Sequence, residues 1–88
     1  MERATIQAKL IDLITEYIQP ELKPLLLTAN EDTQFVTDLQ LDSVDLVDIV
    51  IQAETQFGIA IENETIPTLL TIGKCIDVVE KKIAEKQI

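Results

Sequence analysis

Residues 39–51 read LQLDSVDLVDIVI, with Ser43 standing between Asp42 and Asp45 where a polar connection gives way to an apolar run. At roughly 100° per residue, counted from Ser43, the side chains of Leu46, Ile49, Val50, Ala53 and Phe57 fall within one arc of about 100°. That spacing predicts a helix from Ser43 to Phe57 with one buried face, closed by Gly58 in the left-handed position just past its end. Val44, Val47 and Ile51 form a second stripe, edged by Asp45 and Asp48. A helix packed on a core needs only one apolar face. The second is either a docking surface or is covered by a loop or a short neighbouring helix.

Ser43 itself has several readings. Ser and Asp before an apolar periodic run are common helix caps, and Asp42 with Asp45 three residues on is a weak variant of the capping box. A catalytic role has little support: the chain contains no histidine, and no Lys or Cys lies nearby in sequence to act as a base. A calcium loop fails as well. Asp38, Gln40 and Asp42 alternate, but the glycine such a loop needs would fall at Ser43 and the closing glutamate at Ile49.

Upstream, Ile6, Leu10, Leu13, Ile14 and Tyr17 recur at helical steps, which predicts a first helix over 5–18 ended by Pro20. The following PELKPLLLTANEDTQFVTDLQL, residues 20–41, has two prolines and no sustained period. It reads as a long connection holding one short helical turn, tied to the core by Leu25, Leu26, Phe35, Leu39 and Leu41. Downstream, Pro67 argues against a long helix and leaves room for a short one over about 63–70. The final stretch, TIGKCIDVVEKKIAEKQI, predicts a helix to the end of the sequence, with Thr71 as cap, an inward stripe of Ile72, Ile76, Val79 and Ile83, and Lys81, Lys82 and Lys86 at the negative end of its dipole.

Eighty-eight residues suffice for one small domain, taken as 1–88, and the 47% of hydrophobic residues with only 3% aromatic point to an aliphatic, helix-packed core. Sixteen acidic against seven basic residues give a net charge of −9, which repels nucleic acid and anionic lipid and favours a basic partner surface. A single cysteine, Cys75, excludes an intrachain disulfide and a cysteine-rich metal site. With no long apolar run and no secretory signal in MERATIQAKL, the expectation is a cytoplasmic protein without membrane insertion.

The frame FVTDLQLDSVDLVDIVIQAETQFGIAI resembles the acyl carrier proteins, whose mark is Asp-Ser-Leu, here Asp42-Ser43-Val44, at the start of the second of four helices. TIGKCIDVV is similar to the segment that opens the family's last helix. The resemblance implies an all-α fold, a small four-helix bundle with a long first connection and a short third helix. It implies that the protein is not an enzyme, and that Ser43 is where a separate phosphopantetheinyl transferase (a holo-acyl-carrier-protein synthase) attaches 4′-phosphopantetheine from coenzyme A. The arm would hold acyl groups as thioesters for fatty acid, lipid or secondary-metabolite synthesis. A helix N-terminus suits the arm's phosphate. Val44, Val47 and Ile51 with Asp42, Asp45, Asp48 and Glu54 become the face for basic patches on acyl-loading, condensing or acyltransferase enzymes. Leu46, Ile49, Val50, Ala53, Ile61, Ile72, Ile76 and Val79 become an interior that opens for an acyl chain. A monomer is implied, and no metal.

Several positions depart from the commonest pattern of fatty acid synthesis carriers. Gln40 replaces a glycine, Val44 a leucine and Leu46 a small polar residue. Thr55 and Gln56 dilute an acidic run, and Glu62-Asn63 replaces Pro-Asp. These favour a specialised bacterial carrier. Two alternatives stay open: an aminoacyl or peptidyl carrier, and a non-carrier helical module in which Ser43 is only a cap.

Overall fold

The computed structural model describes residues 1–86. Three α-helices, α1 (Arg3–Thr15), α2 (Ser43–Phe57) and α3 (Ile72–Lys86), are joined by connections that carry two 3₁₀ segments, Pro20–Leu27 and Asn63–Thr68. Among the described residues there is no strand, only an isolated antiparallel bridge between Gln34 and Thr71. The fold is thus the expected small helical bundle, with a 3₁₀ segment as its short third helix. Gln87 and Ile88, the expected end of the last helix, lie outside the described residues.

Both short segments contain an interior proline, Pro24 in the first and Pro67 in the second. Proline lacks the N–H that an α-helix interior requires, so short, tighter turns are what these sequences sustain. The same residue type corrects the end of α1. The expected helix over 5–18 starts two residues earlier and ends at Thr15, with Glu16 as C-cap. Pro20 does not terminate it directly. It opens the first 3₁₀ segment and holds Gln19 extended, so residues 16–19 form the turn between the two.

The core gathers one face of each helix. Ile6, Leu10 and Ile14 of α1 meet Leu46, Ile49, Ala53 and Phe57 of α2 and Ile72, Cys75, Ile76 and Val79 of α3, all buried. From the long connection Phe35, Leu39 and Leu41 join them, as expected. Leu25 does not: it is 46% exposed, and Leu22 and Leu26, four residues apart, pack inward instead. Ile83 is only partly buried at the far end of the α3 stripe. A smaller cluster of Val50, Ile61 and Leu69 packs beside the second 3₁₀ segment, with Ile59, Ile66 and Val78 around it.

Burying one Ile or Leu contributes about 1.5–3 kcal/mol, whereas an exposed ion pair contributes about 0–1 kcal/mol, so the aliphatic core sets the stability. The polar contacts set the course of the connections. The chain 31–35 is stitched to the start of α3 by Gly73 N–H to the Glu31 carbonyl (2.8 Å), Ile72 N–H to Thr33 (3.0 Å) and Phe35 N–H to Leu70 (3.1 Å). Arg3, at the start of α1, spans Glu31 of the connection and Asp77 and Glu80 of α3. Gly73 is buried, and the close approach requires glycine, since a Cβ there would lie 2.9 Å from the Glu31 carbonyl oxygen.

One residue of the long connection holds a backbone conformation that favours glycine. Gln40 has φ of 56°, and this left-handed residue separates Leu39 and Leu41, both of which are buried. Its N–H reaches the Val36 carbonyl (3.0 Å), and Leu41 N–H reaches that of Phe35 (3.0 Å). The chain is thereby delivered to Asp42 and the start of α2.

Candidate functional site

Asp42, not Ser43, caps α2. The Asp42 carboxylate accepts the Asp45 N–H at 2.8 Å and the Asp45 carboxylate accepts the Asp42 N–H at 3.4 Å, a reciprocal capping box. Ser43 is the first residue inside the helix, and none of the hydrogen bonds that close this helix end uses its hydroxyl. That hydroxyl is exposed. As the first two helical residues, Ser43 and Val44 have amides with no intrahelical acceptor, which leaves donors and the positive end of the helix dipole beside it.

Next to Ser43 opens a cleft of about 490 Å³ between α2 and the second 3₁₀ segment, lined by Ser43, Leu46, Val47, Asn63, Ile66 and Pro67. Of the eight residues expected to line an acyl interior, Leu46 alone borders this cleft. Ile49, Ala53, Ile72, Ile76 and Val79 lie in the larger buried cluster. Val50 and Ile61 belong to the smaller one, next to the same 3₁₀ segment. Asn63, Ile66 and Pro67 carry no periodic signal in the sequence. Only the proline, by forcing a short turn across from α2, hints that a wall stands there.

The second apolar stripe of α2 is uncovered: Val44 is 67%, Val47 39% and Ile51 49% exposed. Neither the long connection nor the second 3₁₀ segment buries it. Around it Asp42 and Asp48 are exposed and Asp45 is half-buried. Glu54 differs from the other acids, because its carboxylate accepts the N–H of Ile61 at 2.8 Å and so faces the chain leaving α2. Tyr17, whose spacing places it on the core stripe of the first helix, stands in the turn after α1 and is only partly buried against the core. Burial lifts the Tyr17 phenol above its ordinary value, and the charges of Asp48, Glu16 and Asp45 push the same way.

The chain's own thiol takes no part in this surface. Cys75 is buried in α3, and burial pushes its pKa up to about 12, so almost no thiolate forms at neutral pH. Among the described residues no group of His, Cys, Asp and Glu could hold a metal ion, and no helix is long and apolar enough to cross a membrane.

The helix start favours an anionic group and the cleft an apolar one. An exposed hydroxyl stands at a helix N-terminus, and an apolar cleft of molecular size lies beside it. Comparison with known proteins agrees. A family model described as a phosphopantetheine attachment site matches residues 9–79. An acyl carrier protein of Thermotoga maritima is 34% identical over 53 residues, 60% of this chain and 65% of that protein. One of Amoebophilus asiaticus is 30% identical over 81 residues, 92% of this chain and 96% of that protein. A crystal structure of an acyl carrier protein from Thermotoga maritima superposes with a TM-score of 0.80 at 33% identity, covering 97% of this chain and 94% of that one. On the fold, the helix start at Ser43 and these likenesses together, the chain belongs to the acyl carrier protein family, whose cofactor is 4′-phosphopantetheine.

Proposed function

We propose that Ser43 is the residue that takes the arm, and that the chain carries acyl groups to partner enzymes that dock on the exposed face of α2. The observation that carries this reading is the division of labour at the helix start: Asp42 and Asp45 cap it, leaving the adjacent hydroxyl exposed at the mouth of an apolar cleft. When bound, the arm supplies a terminal thiol that holds the acyl group as a thioester.

In the loading step the Ser43 Oγ forms a bond to the β-phosphorus of coenzyme A, the pyrophosphate bond breaks, and adenosine 3′,5′-bisphosphate leaves. The hydroxyl proton passes to the transferase, which explains how a chain without histidine can use a serine. The helix N-terminus then stabilises the new phosphodiester charge. Leu46, Val47, Ile66 and Pro67 offer apolar cover to what the arm brings, and Asn63 offers the cleft a polar group.

Val44, Val47 and Ile51, edged by Asp42, Asp45 and Asp48, suit a basic patch with an apolar centre on a phosphopantetheinyl transferase or on acyl-loading, condensing or acyltransferase enzymes. The departures at Gln40, Val44, Leu46, Thr55, Gln56, Glu62 and Asn63 support a specialised bacterial carrier dedicated to an unusual lipid, lipid A or a secondary metabolite, and family membership supports a cytoplasmic monomer. The interior residues Ile49, Val50, Ala53, Ile61, Ile72, Ile76 and Val79 would have to part for a long chain to enter beyond the cleft.

Intact-protein mass spectrometry tests the reading after incubation with coenzyme A, Mg²⁺ and a broad-specificity phosphopantetheinyl transferase. A gain of one phosphopantetheine in the native chain and none in Ser43→Ala is expected. No gain from folded protein with several transferases would count against it. The mass added on subsequent charging separates an acyl from an aminoacyl cargo.

A further inference from the structure

Among the acids expected to face partners, Asp42 and Asp45 cap the start of α2 with their carboxylates, whereas the Glu54 carboxylate reaches outside the helix to the chain that follows it. The chain between α2 and the second 3₁₀ segment makes its turn at Gly58 (φ 66°), and Ile59 N–H returns to the Glu54 carbonyl at 3.0 Å. Two residues later the Ile61 N–H donates to the Glu54 carboxylate at 2.8 Å, while the Ile61 side chain is buried with Val50 and Leu69. From the other side, Lys82 Nζ of α3 holds the Glu62 carboxylate at 2.6 Å. The residues that follow, Asn63, Ile66 and Pro67, are one wall of the cleft beside Ser43. The position of that wall relative to α2 therefore depends on a side chain eleven residues along the helix from the serine.

We propose that Glu54 is a positioning residue for the cleft rather than a docking charge: through the Ile61 N–H it holds the Asn63–Thr68 wall against α2 and so fixes the space offered to cargo on Ser43. The cargo half of this statement rests on the carrier reading. The hydrogen bond joins a charged acceptor to a half-buried backbone donor, the kind whose loss leaves the donor without a partner.

Two conservative variants separate acceptor from charge. Glu54→Gln keeps an oxygen at the same reach and removes the charge, whereas Glu54→Asp keeps the charge and withdraws it by one methylene. The first measurement is amide hydrogen exchange of the unmodified protein. Glu54→Asp should speed exchange at Ile61 by roughly tenfold or more, and Glu54→Gln by no more than about threefold. The Ile14 amide, in the core of α1, should stay at the native rate in both. The second measurement uses protein loaded from octanoyl-coenzyme A by a broad-specificity transferase, and follows hydrolysis of the thioester by mass. Glu54→Asp should lose the octanoyl group faster than the native chain, and Glu54→Gln should keep it about as long.

Native-like Ile61 exchange in Glu54→Asp overturns the proposal whatever happens on Ser43. Fast Ile61 exchange with an unchanged thioester lifetime also overturns it, by separating the hydrogen bond from the cleft. Failure of the native chain to accept octanoyl-phosphopantetheine would sink the carrier reading instead, and the exchange comparison would still decide whether Glu54 positions the wall.

Discussion

Replacing Gln40 by glycine should stabilise the protein, although it deletes a side chain. Gln40 sits at φ 56°, where a Cβ crowds the backbone, and a non-glycine residue held there costs about 1–2 kcal/mol. The hydrogen bond it makes, N–H to the Val36 carbonyl, is one that glycine keeps, and the glutamine side chain is exposed. Against the relief stands the extra freedom of glycine in the unfolded chain, about 0.4–1 kcal/mol. The midpoints, about 1.5 against about 0.7 kcal/mol, leave a gain of about 0.8 kcal/mol, which for a domain of this size raises the melting temperature by about 3–6 °C. Thermal unfolding followed by circular dichroism reads this directly. Gln40→Ala is the control, because alanine also carries a Cβ and gains nothing. A Gln40→Gly variant that melts no higher than Gln40→Ala would refute the strain argument. It would also remove the physical reason for the glycine that the commonest family pattern has at this position.

Gly73→Ala should act in the opposite sense. The new Cβ would meet the Glu31 carbonyl oxygen and Cβ at 2.9 Å, so the connection must move off α3 at a cost of about 1–3 kcal/mol, visible as a lower urea midpoint. Thiol titration should count no reactive group in the folded unmodified chain and one after denaturation, because Cys75 reacts only on unfolding; after loading, the folded protein should show one, on the arm. Acid should weaken the fold in a defined window. Arg3 holds the Glu31 carboxyl, and Lys82 that of Glu62, below the usual value of 4.5, so their contribution is present above that pH and is lost as pH falls through the lowered folded values. Arg3→Met and Lys82→Met should flatten the decline of stability below pH 4.5. Finally, Asp48→Lys should raise the transferase KM with little change in kcat, and the native KM should itself rise with salt, if docking on α2 is electrostatically steered.

The legible parts of this fold are those where one residue carries one local signal. The period of α2 and the αL glycine at 58 mark the extent of that helix, although the sequence leaves its cap open between Asp42 and Ser43, and Thr71 caps α3 as expected, its hydroxyl accepting the Lys74 N–H at 3.1 Å. A second apolar stripe of Val44, Val47 and Ile51 is readable because a helix packed on a core needs only one such face, whereas its exposure is settled by the path of the two connections. What escaped depends on contacts distant in sequence. Leu25 and Leu26 look alike until the first 3₁₀ segment turns one of them out. The stitching of residues 31–35 to the start of α3 has no periodic signature, and neither has the reach of Glu54 to Ile61. The wall of Asn63, Ile66 and Pro67 follows from where residues 58–62 are pinned, which no window of sequence contains. At Gln40 the local rule points away from the observed turn, since glutamine does not favour a left-handed residue.

The measurement that bears most directly on the central claim is fragmentation of the phosphopantetheine-loaded protein to locate the added mass. All of it should map to fragments that contain Ser43, with every other hydroxyl of the chain unmodified. Added mass on any other hydroxyl, with Ser43 unmodified, would contradict the account.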